Sequence, residues 1–230
     1  MAHNYHKIMA PFCRENNKDT MVSENLWSNE AFEYLKDNEW LWEEKLDGSS
    51  IGLRWDGERL SFVGHTDKSQ IAPKYLNWLN ETFGNKETET VFEELFNDKP
   101  FTVYGEGLSS VFNKHYGYPE GALVIYDVQD DSTGRFLRRE AVAEIAAKLS
   151  CKTAPLVFKG TIKEAVDYVK NGPESVFVKG WAMEGLIGRP KTDLYDRSGK
   201  RLICKVKVHD FCGESYTSYC QKKQSNPKLQ

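Results

Sequence analysis

The sequence predicts an antiparallel-rich α+β fold, and three observations carry that prediction. Strand-like alternation brackets a turn dipeptide between residues 40 and 63, apolar residues recur at helical spacing in 73–95 and 137–149, and a strongly alternating strand occupies Leu202 to Val208.

Taken in order, Trp40-Leu41-Trp42-Glu43-Glu44-Lys45 reads as a strand, and after Asp47-Gly48-Ser49-Ser50 the alternation of Ile51, Leu53 and Trp55 reads as a second. Asp56-Gly57 marks a tight hairpin, because the dipeptide favours the positive backbone angles of a two-residue connection; the chain is expected to return through Leu60 to Val63. Lys45 therefore stands near a strand end, beside a turn. Tyr75, Leu76, Leu79 and Phe83 are spaced for a helix from Pro73 to Phe83, and Val91, Phe92 and Leu95 for the next, two helices suited to cover a sheet. Strands resume at Thr102 to Tyr104 and Ala122 to Val128, followed by a helix on which Leu137, Ala141, Ile145 and Leu149 form one stripe. Thr161 and Glu164 make a capping-box pattern for a further helix, which Gly172-Pro173 ends. In the last strand Leu202, Cys204, Val206 and Val208 point one way, and Arg201, Ile203, Lys205 and Lys207 the other, so two lysines share a face.

A chain of 230 residues can bury one substantial core, and with no internal repeat or evident linker a single domain over 1–230 is expected, its last part, 209–230, a short tail. Hydrophobic content of 40% with 13% aromatics is that of an ordinary globular protein. Residues 1–20 are polar and lack the apolar core of a signal peptide, and no apolar run reaches membrane-spanning length. Five scattered cysteines, an odd number without a CxxC pair, suit reduced thiols and a cytoplasmic protein. The net charge of −3 excludes coating nucleic acid by overall basicity, but the charge is unevenly divided. Residues 1–151 carry 16 Lys+Arg against 26 Asp+Glu, while residues 152–230 carry 15 against 8. A basic C-terminal third can face phosphates or be a solvated surface.

Lys45-Leu46-Asp47-Gly48 taken alone is a common turn string. It gains meaning from four further segments in order: Tyr104-Gly105-Glu106-Gly107, Tyr126-Asp127-Val128, Glu184-Gly185-Leu186-Ile187 and Lys205-Val206-Lys207. Together these resemble the nucleotidyl motifs of the covalent nucleotidyltransferase superfamily of ATP-dependent DNA ligases, RNA ligases and mRNA capping enzymes. Glu44 to Ser50, then Gly64-His65-Thr66, and Lys205 to Phe211 are most similar to phage RNA ligases of the RNA ligase 2 type. The resemblance implies a nucleotidyltransferase (ATP-grasp-like adenylation) domain; the OB-fold that DNA ligases and capping enzymes append is not expected here. One position departs from the pattern: the family usually has Arg where this chain has His65, which cannot supply a permanent bidentate charge. Arg54 or Lys68 could compensate.

The implied chemistry is ATP-dependent joining of a 5′-phosphate to a 3′-hydroxyl by covalent catalysis. Lys45 takes AMP from ATP, AMP passes to the polynucleotide 5′-phosphate, and the 3′-hydroxyl displaces it. A free lysine, with a pKa of about 10.4, is nucleophilic in only about one molecule in a few thousand at neutral pH, so nearby positive charge is needed. The resemblance assigns that task to Lys205, Lys207 and a bound Mg²⁺ (or Mn²⁺), which also neutralise the triphosphate. It makes Glu184 the cation's oxygen ligand, Glu106 the ribose partner and Tyr126 the ring against adenine, with core packing the alternative for Tyr126. Glu44 helps to read adenine, Gly48 and Ser49 let the chain approach the nucleotide, and Ser50 and His65 complete the binding set. Arg189 is a further candidate for phosphate.

The expected partner is nucleic acid, either nicked duplex or RNA ends, met by a monomer with an accessory protein supplying nick recognition if one is needed. A minimal DNA ligase and a GTP-using capping guanylyltransferase are the enzymatic alternatives. A non-enzymatic module stacking bases on Trp181 and Tyr195 is the alternative of another class.

Overall fold

A computed structural model describes residues 5–14, 22–66, 69–109, 112 and 117–212. Lys68 and the tail beyond residue 212 lie outside the described residues. In chain order the elements are β1 (Phe12–Arg14), β2 (Val22–Trp27), α1 (Glu30–Tyr34), β3 (Trp40–Lys45), β4 (Ser49–Trp55), β5 (Leu60–Val63), α2 (Pro73–Phe83), α3 (Lys86–Phe96), β6 (Phe101–Leu108), β7 (Ala122–Asp130), β8 (Arg135–Phe136), α4 (Arg139–Lys148), β9 (Lys152–Thr153), β10 (Leu156–Gly160), α5 (Ile162–Lys170), β11 (Gly185–Pro190), β12 (Cys204–Lys207) and α6 (His209–Cys212). The α+β class holds, and every strand pairing is antiparallel except that of β7 with β9. No described helix is long and apolar enough to cross a membrane.

The chain divides into two compact units. The first comprises the described residues of Met1–His6 and Asp47–Ala154, the second those of Lys7–Leu46 and Pro155–Gln230, so one division falls between Leu46 and Asp47, just after Lys45.

In the first unit a six-stranded sheet runs β5-β4-β6-β7-β8, with β9 on β7. Alternation turns Ile51, Leu53 and Trp55 of β4, Val103 of β6 and Leu123, Ile125 and Val128 of β7 into a core with Tyr75, Leu79 and Phe83 of α2, Phe92 and Phe96 of α3, and Val142, Ile145 and Ala146 of α4. α2 and α3 take these positions because their apolar residues recur every three or four positions, and Asn85 caps α3 through the amide of Thr88. The β4–β5 connection is tight, but one residue later than the dipeptide implies. The Asp56 amide donates to the Arg59 carbonyl, leaving Gly57 and Glu58 at the tip, and the Asp56 carboxylate accepts from the amides of Glu58 and Arg59. Gly57 has φ +106°, and a β carbon there would lie 2.5 Å from the Asp98 carbonyl, so only glycine fits.

In the second unit a four-stranded sheet runs β10-β3-β11-β12, accompanied by the β1–β2 ribbon. One face of β3 carries Trp40 and Trp42, fully buried and stacked at 6.0 Å, with their indole N–H groups donating to the carbonyls of Leu35 and Gly160. α5 packs on β11 and β12 through Ile162, Ala165, Val166 and Val169, and Thr161 and Glu164 form the capping box the sequence announces. The last strand is shorter than expected, Cys204–Lys207, and its alternation stands: Cys204 and Val206 are buried, Lys205 and Lys207 half-buried.

Candidate active site

In the second unit, register gathers one group of candidate residues. Lys45 on β3 is paired with Gly185 on β11, and Gly185 with Lys207 on β12; one step along, Glu43 pairs with Ile187 and Ile187 with Lys205. Residues directly opposite in antiparallel strands share a face. Lys45, Lys207, Lys205 and Glu43 therefore rise from one side of the sheet, while Glu44 belongs to the other. Gly185 at the centre of the row is obligatory, because a β carbon would lie 2.3 Å from the Val206 carbonyl oxygen and 2.8 Å from the Lys207 Cα. Gly185→Ala is expected to cost about 1–3 kcal/mol by forcing β11 from β12, read as a lowered Tm.

Glu184, immediately before β11, binds both ends of this row. Its Oε2 lies 2.6 Å from the Lys45 Nζ and its Oε1 2.6 Å from the Lys207 Nζ. Its side chain is 5% exposed, against 20% for Lys45 and 28% for Lys207. Burial opposes its ionisation, but the charges of Lys45 and Lys207 and the hydrogen bonds from both overrule burial and hold the carboxyl below its ordinary range. Lys205 is pushed below its ordinary value, first by burial, then by the positive charges of Lys207 and Lys45, with Glu184 and Asp210 opposing. The cations expected to act on Lys45 thus act on one another as well.

Two further groups have partners that sequence gave no sign of. The Glu44 carboxylate is buried and accepts from the Ser175 hydroxyl at 2.5 Å and from the amides of Val176 and Phe177 at 2.9 Å each. Burial raises its pKa against these three donors. Glu44, expected to help read adenine through its backbone or side chain, uses that side chain to seat residues 175–177. Arg189, a phosphate candidate, donates to Glu43 at 3.2 Å, with both side chains buried.

The first unit assembles another group. β4 and β6 pair Ser50 with Glu106, and β6 pairs Glu106 with Val124 of β7, which puts Ser50 and Glu106 on the sheet face turned from the helical core. The Glu106 Oε1 accepts from the Gly48 amide at 2.9 Å, and the Tyr118 hydroxyl accepts from the Asp47 amide at 3.1 Å. Gly48 is required by its neighbour strand: a β carbon would sit 2.2 Å from the Gly107 carbonyl. The Ser50 hydroxyl and the Tyr126 hydroxyl share a hydrogen bond of 2.6 Å. Burial lifts the Tyr126 phenol well above its ordinary value, with Tyr5 and Glu106 adding to the effect. Tyr126 is half-buried, with the edge of Tyr5 against its ring at 5.2 Å. His65 is exposed in the turn after β5. Of the stacking alternatives, Trp181 is half-buried and Tyr195 is 44% exposed.

A strand-borne lysine, its carboxylate and a lysine pair on the next strand but one, on an antiparallel α+β fold, are the features expected of a covalent nucleotidyltransferase. It belongs to the RNA ligase family, whose model matches residues 38–207. Among solved structures it is similar to a Naegleria gruberi RNA ligase variant with ATP and manganese (TM-score 0.62, 12% identity, 96% of this chain and 60% of that one). It is similar also to a variant with AMP and manganese (0.61, 13%, 95% and 62%) and to the enzyme with pyrophosphate (0.59, 13%, 96% and 64%). The chain thus spans about three-fifths of the length of these proteins. No curated protein sequence matches.

Proposed function

We propose that the chain is an ATP-dependent RNA ligase that joins 5′-phosphate and 3′-hydroxyl ends through a lysyl-AMP intermediate and an adenylylated polynucleotide. The observation that carries this reading is the buried Glu184 carboxylate with the Nζ atoms of Lys45 and Lys207 each 2.6 Å away. Family membership and the fold shared with ligases that bind ATP and manganese support it.

In the first step the unprotonated Lys45 Nζ attacks the ATP α-phosphorus; the N–P bond forms, the bond to the bridging oxygen breaks, and pyrophosphate leaves. Lys207 and Lys205 face the charge that develops on the departing phosphates. Glu184, ionised between the two lysines, holds the Lys45 Nζ in place, and the proton that Lys45 loses passes to solvent. In the second step the 5′-phosphate oxygen takes AMP and returns the electron pair to Lys45; in the third the 3′-hydroxyl displaces AMP. Glu106, whose carboxylate accepts from the Gly48 amide, meets a ribose hydroxyl, while Tyr126 meets the base.

Glu184 would hold a divalent cation, Mg²⁺ or Mn²⁺, a hard ion that takes one or two carboxylates and completes its shell with substrate phosphates and water. Glu184 offers the one carboxylate such a site takes from the protein, and among the described residues no group of three His, Cys, Asp or Glu side chains is poised for a metal. Such an ion supplies charge neutralisation at the phosphates. In this reading the protein works as a monomer in the cytoplasm on nicked duplex or RNA ends, with an accessory protein where nick recognition needs one.

The test uses radiolabelled ATP with Mg²⁺, then matched nicked duplexes with RNA or DNA on each side of the break. Covalent protein label followed by sealing wherever the 3′-hydroxyl side is RNA is the expected result. Equal sealing of all-DNA nicks would replace RNA by DNA as the substrate; label from GTP and none from ATP would remove ligation from the reading.

A further inference from the structure

We infer that Arg139 is a positioning residue that sets the ring of Tyr126 for the nucleotide base, by holding a β-bulge whose extra residue is Tyr126. The inference rests on the proposed function, in which Tyr126 meets adenine, and adds to it a residue on another element.

The bulge is visible in the register. Along β6 and β7, Tyr104 pairs with Asp127 but the next residue, Gly105, pairs with Ile125, so Tyr126 has no counterpart on β6. The core repeats the irregularity: Leu123 and Ile125 enter it two residues apart, and the next β7 residue to do so is Val128, three further on. An insertion of one residue places Tyr126 and Asp127, neighbours in sequence, on the same side of the sheet, away from the helical core. Tyr5 touches both, its hydroxyl donating to the Asp127 carboxylate and its ring edge meeting Tyr126 at 5.2 Å. Ser50 and Glu106 stand on that same side.

A bulge removes its extra residue from the ladder, and the backbone groups released there need other partners. Arg139, the first residue of α4, supplies one: its guanidinium donates to the Tyr126 carbonyl at 3.1 Å. The tip of the same residue is held separately, its hydroxyl bonded to Ser50 at 2.6 Å. Tyr126 is thus fixed at its main chain by α4 and at its phenol by β4. Without Arg139 the carbonyl can turn to recover a ladder partner, the bulge slides along β7, and the ring leaves the line of Ser50 and Glu106. A one-residue slip turns a side chain to the opposite face.

The experiment measures steady-state exchange of labelled pyrophosphate into ATP, which cycles Lys45 through its adenylylated form, in wild type, Arg139→Ala, Arg139→Lys, Tyr126→Ala and the Arg139→Ala/Tyr126→Ala double variant, with melting by circular dichroism for each. Losing a charge-assisted hydrogen bond at a site that only positions the base should raise the KM for ATP about tenfold and leave kcat within about threefold. Arg139→Lys, which keeps a charged donor, is expected to recover most of that loss. In the Tyr126→Ala background, removing Arg139 should add less than about twofold, because the two residues act as one. A KM for Arg139→Ala within twofold of wild type, or effects that multiply in the double variant, overturns the proposal. If Arg139→Ala melts below the assay temperature, Arg139→Met, which keeps the stem and lacks a donor, is read by the same criterion alone and with Tyr126→Ala. Absence of label in the wild type would instead defeat the proposed function itself.

Discussion

Replacing Lys45 by alanine is expected to abolish transfer of AMP to the protein. The covalent route has no second nucleophile of equal placement, so labelling from ATP should fall by on the order of 10⁴-fold or more. Lys45→Arg should be equally inert, since a guanidinium is effectively always protonated. A substrate whose 5′ end already carries AMP bypasses the missing step, so both variants should still join such ends. Stability should change little: Lys45 is 20% exposed, and the Glu184 carboxylate keeps Lys207. Gel autoradiography of the protein gives the first result and sealing of preadenylylated ends the second. Persistent label in Lys45→Ala would move the nucleophile elsewhere, Lys205 being the next to test. Loss of both reactions in a folded variant would mean that Lys45 also serves the joining step.

Local signals made much of this legible. α2 follows from apolar spacing, and α5 from a capping box whose residues lie three apart. Lys205 and Lys207 share a face because a strand alternates, whatever it pairs with. β11 was harder to see as a strand, because Gly185, Gly188 and Pro190 dilute its β signal. Those glycines answer to distant atoms: at Gly188 a β carbon would lie 2.3 Å from the Trp42 ring, and at Gly185 the obstacle is the Val206 carbonyl. Only pairing with β3 and β12 explains them.

The candidate site divides in the same way. The order of the motifs named Lys45, Glu184 and Lys207, but order does not say which charge meets which. The Glu184 bridge depends on a register between three strands. Alternation places Glu44 opposite to Lys45, yet nothing near it in sequence announces Ser175, 131 residues away, as its partner. Tyr126 was ambiguous between ligand and core because Leu123, Val124, Ile125 and Val128 are apolar on both faces of β7, which hides the bulge. Tyr5 lies in a polar N-terminal stretch without periodicity, and its bond to Asp127 has no sequence signature.

Glu184→Gln carries the second large effect, and its sign is set by the charges around it. The carboxylate, itself 5% exposed, neutralises two ammonium groups, and removing it leaves both facing a neutral amide. Breaking a fully buried pair costs about 3–5 kcal/mol; with both lysines partly exposed, about 2 kcal/mol is expected at neutral pH. The folded Glu184 titrates below its ordinary 4.5, since Lys45 and Lys207 outweigh its burial. Its contribution is therefore full above about pH 5 and is lost as the pH falls through the folded value. The Tm difference between wild type and Glu184→Gln should be constant at neutral pH and shrink in acid below 4.5. Activity should fall too, by on the order of 10²-fold, because the amide is a poorer ligand for a divalent cation and no longer holds Lys45 beside Lys207. The pH dependence of the residual rate separates the two losses. A carboxylate favours the ammonium form of its neighbour, so without it the rate of labelling should reach half its maximum at lower pH. Equal Tm values at neutral pH, or an unmoved rate profile, would mean that the bridge between Lys45 and Lys207 does not control the nucleophile.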